Sequence, residues 1–113
     1  MYKQREVVLV PFPYSDLSAV KKRPVLIVSN NEYNQRFEDV VVCVITSSRF
    51  KDSYSLNLED AHLEMGVLPE SSIIKTHKLF TVHKSKILRK FSLIRTELFE
   101  QVTYRITELI TPK

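Results

Sequence analysis

Lys21-Lys22-Arg23 sets three consecutive cations in front of Pro24 and the apolar run that follows it. An arginine held at such a boundary offers a planar fork of N–H donors to a phosphate, and can stabilise the charge that develops there during cleavage. Taken alone, the triplet reads more readily as solvated loop charge, because basic loops are common. Thr46-Ser47-Ser48 closes a second apolar run, and its hydroxyls can bond a phosphate oxygen or orient a reacting group. Hydroxyls also end strands for local reasons, by bonding nearby backbone. His77, among Lys75, Thr76 and Lys78, titrates near neutrality and can act as an acid, a base or a phosphate donor. An exposed strand histidine without a task is the plainer alternative.

Other chemistries are poorly supplied. His62, His77 and His83 form no zinc spacing with one another or with Cys43, so no metal is expected. One glycine cannot build a phosphate-cradling loop, which argues against nucleotide cofactors, and no cofactor of any kind is expected. The single cysteine, Cys43, sits inside Val40-Val41-Val42-Cys43-Val44-Ile45 and reads as core filler rather than nucleophile. Lys and Arg number 17 against 13 Asp and Glu, for a net charge of +4. That balance suits a phosphate backbone or an acidic protein partner without deciding between them.

The elements that must position these residues are mostly strands. A chain of 113 residues is expected to form one domain, 1–113. Val7 to Phe12 reads as a first strand, 14–23 as an exposed loop, and Pro24 as the opening residue of a strand Val25–Val28. Asn30 to Phe37 reads as a short helix or turn. The continuously apolar Val40–Ile45 is expected to be the central strand, buried on both faces. Tyr54–Leu58 alternates with period two, and Ser72–His83 is a further β-rich stretch. Leu98, Val102, Ile106 and Leu109 mark an amphipathic helix with Thr96 as its N-cap and Pro112 beyond its end. The expected architecture is a curled, mostly antiparallel sheet closed by a C-terminal helix. No run is long and apolar enough for a membrane span, and Met1-Tyr2-Lys3-Gln4-Arg5 lacks a secretory signal, so a cytoplasmic location is expected.

In order along the chain, Val7-Val8-Leu9-Val10-Pro11-Phe12-Pro13, Lys22-Arg23-Pro24-Val25-Leu26-Ile27-Val28-Ser29-Asn30, Val42-Cys43-Val44-Ile45-Thr46-Ser47 and Ser72-Ile73-Ile74-Lys75 resemble the MazF/PemK family of toxins from toxin–antitoxin systems. The resemblance spans nearly the whole chain, and the Arg-Pro strand followed by the Ile-Thr-Ser turn is its most specific part. It implies a mainly β, SH3-like barrel of the CcdB/PemK/MazF type, a homodimer, and an endoribonuclease acting on single-stranded RNA. Arg23 and Thr46 fall on the family's catalytic positions. The implied chemistry is attack by a ribose 2′-hydroxyl on the adjacent phosphate, leaving a 2′,3′-cyclic phosphate and a 5′-hydroxyl with no metal. Asp16, Ser18 and Ser47 are implied RNA contacts, to which the basic pair Lys21 and Lys22 and the histidine His77 are added as candidates. An acidic, partly disordered antitoxin is the implied protein partner. The competing readings are a CcdB-like gyrase poison of the same barrel and a catalytically inactive RNA-binding module; neither needs Arg23 and Thr46 together.

Overall fold

Continuous runs of Val, Leu and Ile drive the first half of the chain into strands, because a pleated strand presents successive side chains to opposite faces and here both faces are covered. The computed structural model describes residues 1–13 and 20–113; Asp16 and Ser18 lie outside the described residues. The described chain runs β1 (Glu6–Pro13), β2 (Val20–Ile27), α1 (Asn31–Arg36), β3 (Asp39–Thr46), β4 (Ser55–Leu58), β5 (Leu63–Gly66), β6 (Ser72–His83), β7 (Arg89–Ile94) and α2 (Thr96–Ile110). All the pairings are antiparallel, and the strands lie in the order β4-β6-β3-β2-β1-β7-β5.

Two apolar clusters lie on the two faces of this sheet. Val7, Leu26, Cys43, Ile45 and Ile74 share the first with Leu56 and Leu58 of β4, Leu63 of β5, and Leu98 and Val102 of α2. Strands from opposite edges meet in one cluster, so the sheet curls around it and α2 closes it. Val8, Val10, Val25, Ile27, Val40, Val42 and Val82 form the second. Fully burying one such side chain contributes about 1.5–3 kcal/mol against ~0–1 for an exposed ion pair, so the two clusters hold the sheet.

Several sequence expectations change in detail. β3 is an inner strand flanked by β6 and β2, but the middle of the order belongs to β2. Lys21, Lys22 and Arg23 are not loop residues: they lie in β2, paired with Phe12, Pro11 and Val10 of β1. Pro24 is therefore inside the strand. It is tolerated there because the β2–β3 ladder begins only at Val25, so no hydrogen bond to β3 is lost. The helix α2 begins at Thr96 with Arg95 in the capping position and no side-chain cap, one residue before the expected start. Leu98 and Val102 are buried and Ile106 packs against them, whereas Leu109 at the helix end stays exposed. α1 confirms the short helix, with Asn30 Oδ1 accepting from the Tyr33 N–H at 2.8 Å. β5 and β7 were not anticipated.

Candidate active site

Extended past its last pair, the β2–β3 register sets opposite each other two residues that lie 23 positions apart in the chain. Val25 faces Val44 across β2 and β3. Continuing that register by two residues sets Arg23 opposite Thr46, with Val10 on Arg23's far side and Ile73 on Thr46's. Opposed residues of an antiparallel pair share a face, so Arg23 and Thr46 project on the same side as Val25 and Val42. Both are half-buried, and the Arg23 Nε is shielded from water. A guanidinium held this way presents its outer N–H groups in a fixed direction.

The hydroxyls of the turn after β3 have local work. Thr46 Oγ1 accepts from the Ser48 N–H at 3.1 Å, and Ser48 Oγ accepts from the Phe50 N–H at 3.4 Å. The local-bonding expectation for this tripeptide is thus met. Thr46 acts only as acceptor in that bond, which leaves its O–H able to point at a reacting oxygen.

Beside Arg23 a cleft of about 370 Å³ opens, lined by Lys21, Lys22, Arg23, Pro24 and Ser47 on one side and by Leu68, Pro69, Glu70 and Phe91 on the other. Four of the expected residues meet there, Lys21, Lys22, Arg23 and Ser47, whereas Thr46, turned to the other face from its neighbours Ile45 and Ser47, does not line it. Its cationic rim and apolar wall suit a phosphate with an attached planar ring.

His77 does not line this cleft. Cys43 faces Leu79 but Val44 faces Lys75, so Thr76, His77 and Lys78 bulge out of the β3–β6 ladder. The His77 Nε2 lies 3.7 Å from Asp52 Oδ2, its ring centroid is 5.4 Å from that of Tyr54, and its Nδ1 is buried with no hydrogen-bond partner among the described residues. Lys75 is the hub of this cluster. Its ammonium donates to Phe50 O at 2.8 Å, Asp52 Oδ2 at 3.2 Å and Ser55 Oγ at 3.1 Å. Burial pushes the Asp52 carboxyl up, but the Tyr54 N–H, the Lys75 ammonium, the Ser55 hydroxyl and His77 together outweigh it and hold the carboxyl below its usual range. The sequence reading missed Asp52 and Lys75. A lysine embedded in Ile73-Ile74-Lys75 was the available signal, since a buried ammonium requires partners.

Among the described residues, no three His, Cys, Asp or Glu groups stand close enough to hold a metal. None of the described helices is long and apolar enough to cross a membrane. Burial pushes the Cys43 thiol up to about 12, which keeps it protonated and unreactive.

Arginine, threonine and cationic cleft sit on a scaffold that known proteins share. The family model of PemK-like, MazF-like toxins of type II toxin–antitoxin systems matches residues 3–110. Among solved structures, an endoribonuclease in complex with its cognate antitoxin from a mycobacterial species superposes with a TM-score of 0.79 at 18% identity, over 100% of this chain and 99% of that one. MazF in a MazE–MazF structure from Deinococcus radiodurans gives 0.77 at 16% identity, over 96% and 95%. The Mycobacterium tuberculosis toxin MazF-mt6 gives 0.74 at 18% identity, over 92% and 94%. No curated protein matches the chain in sequence.

Proposed function

Because the chain belongs to the PemK-like, MazF-like family of type II toxin–antitoxin toxins, we propose that it is an endoribonuclease that cuts single-stranded RNA at short sequences without a metal. The observation that carries this reading is Arg23 at the rim of a cationic cleft, and the β2–β3 register, continued two residues past its last pair, supports Thr46 as its partner across the sheet. The ribose 2′-oxygen attacks the adjacent phosphorus while the bond to the 5′-oxygen of the next nucleotide breaks. The 2′-proton passes to a base and the departing 5′-oxygen takes up a proton. The products are a 2′,3′-cyclic phosphate and a 5′-hydroxyl. Arg23 stabilises the charge on the five-coordinate phosphorus, and Thr46 orients the phosphate or the attacking hydroxyl. Lys21, Lys22 and Ser47, at the rim of the cleft, hold the strand that enters it. Asp16, Ser18 and His77 are further RNA contacts in this reading.

The similar folds of an endoribonuclease in complex with its antitoxin and of MazF in MazE–MazF support a neighbouring antitoxin as the protein partner. An acidic, partly disordered chain laid over Lys21, Lys22 and Arg23 would deny RNA the same charges. The active form in this reading is a cytoplasmic homodimer.

The deciding experiment incubates the purified protein with mixed-sequence RNA in EDTA and maps the new ends. The expected products carry 5′-hydroxyls. Ends bearing 5′-phosphate, or activity abolished by chelator and restored by magnesium, would overturn the mechanism. Light scattering of the pure chain tests the dimer, and growth rescue by the adjacent small reading frame tests the antitoxin.

A further inference from the structure

Phe50 is 72% exposed, although burying an aromatic side chain is among the most favourable things a small domain can do. Nor is it loosely held. The Phe50 N–H donates to Ser48 Oγ, its carbonyl accepts from the Lys75 ammonium at 2.8 Å, and its ring centroid lies 5.1 Å from that same nitrogen. The segment that follows is fixed as firmly: the Asp52 N–H donates to Ser55 Oγ and the Tyr54 N–H to Asp52 Oδ1, while Tyr54 O accepts from both the Thr76 N–H and its Oγ1. The ring is thus displayed to solvent on a braced loop.

Its location follows from the register. Lys75 faces Val44, two residues along β3 from Thr46, so the lysine springs from the same face as Arg23 and Thr46. Phe50 follows Thr46 by four residues, a chain length that reaches at most about 14 Å, so the ring stands within about two nucleotides of a phosphate held at Thr46. Exposed Arg49 and Lys51 flank the ring in sequence, and both line a polar cleft of about 140 Å³ with Ser47, Ser48, Asn57 and one carboxylate, Glu59.

We propose that Phe50 is a stacking platform for an unpaired nucleobase next to the cleaved bond, with Arg49 and Lys51 holding the phosphates on either side. The proposal rests on the endoribonuclease reading and adds a substrate contact to it. An aromatic face accepts any base, flanking cations neutralise the backbone, and a rigid mount spares the ordering cost of binding. The braces explain why Lys75 is buried with three acceptors: it fixes the height and tilt of the ring from beneath.

The chain contains no tryptophan, so Phe50→Trp introduces a single reporter. The wild-type cleavage site is mapped first, and a 2′-O-methyl oligonucleotide of that sequence, which lacks the attacking hydroxyl, is then titrated into the variant. Emission should be quenched on saturation. In cleavage assays Phe50→Ala should raise KM about tenfold to a hundredfold with kcat nearly unchanged, and Phe50→Tyr should restore KM. Unquenched emission, or an unchanged KM in Phe50→Ala, overturns the stacking role while leaving the endoribonuclease reading standing. A Phe50→Ala variant that scatters light as a smaller species also overturns it and makes the ring a contact between two copies. Wild-type protein that neither cuts nor binds RNA would overturn both readings before any variant is made.

Discussion

Gly66 is the only glycine in the chain, and its backbone φ is +86°, in the region that L side chains avoid. A Cβ added there would lie 2.2 Å from Phe91 O, 2.7 Å from Ser92 Cα and 2.9 Å from Ser92 Cβ. Two costs therefore attach to Gly66→Ala. The left-handed backbone costs about 1–2 kcal/mol for a non-glycine residue. The second cost is steric. Contacts under 3.0 Å essentially never occur, so Phe91 O must retreat by about 0.8 Å, and the atom that must move is backbone rather than the far end of a flexible side chain. Met65 faces Leu93 and Gly66 faces Ser92, so the retreat parts β5 from β7. Losing one or two such bonds adds about 1 kcal/mol each. The expected total is about 3 kcal/mol, a large share of the 5–15 kcal/mol that typically holds a domain.

Urea unfolding followed by circular dichroism should show a lower midpoint with an unchanged slope. Gly66→Asn separates the two costs, because asparagine tolerates positive φ better than alanine yet carries the same Cβ. If Gly66→Asn recovered nearly all the stability, or if Gly66→Ala cost less than about 0.5 kcal/mol, the steric argument would be refuted. The damage should reach the candidate site as well, since Leu68, Pro69 and Phe91 form the wall of the cleft facing Arg23.

Arg23→Lys keeps the charge but loses the fork, so RNA cleavage should fall by about 10²–10³-fold with an unchanged dichroism spectrum; near-normal cutting removes Arg23 from the chemistry. Thr46→Ser keeps the oxygen that accepts from Ser48 N–H and should cut far better than Thr46→Ala, a difference read from kcat. Cys43 should resist a thiol reagent in native buffer and react once denatured, and labelling of folded protein at neutral pH would contradict its burial. Asp52 has a folded-state pKa held below its unfolded value of about 3.9, so the stability it contributes is present above that value and is lost as pH falls through the lower, folded one. Lys75→Met should flatten this acid dependence, and an acid limb identical to the parent's would show that the carboxylate is not held by the lysine.

Much of this protein was legible in its sequence because the informative signals are local. Apolar runs rich in Val, Ile and Phe placed β1, β3 and β6, period-two alternation placed β4, the 3.6-residue spacing of Leu98, Val102 and Ile106 placed α2, and Asn30 marked the start of α1. Arg23, Thr46 and the family resemblance could be read from residue order alone. The misjudged elements depend on neighbours distant in the chain. The cationic triplet looked like a loop, but pairing with Pro11 and Phe12 extends β2 through it. β5 is a short edge strand that exists by pairing with β7, and its segment carries little periodicity of its own. Which side chains stand near one another was decided only by the tertiary structure. The β2–β3 register, continued past Val25 and Val44, sets Arg23 against Thr46, while the bulge after Lys75 carries His77 out of the ladder and toward Asp52. Residue types declare what chemistry a chain can do. A shift of one residue in strand pairing turns a side chain to the other face, so where that chemistry assembles is set by contacts between segments far apart in sequence.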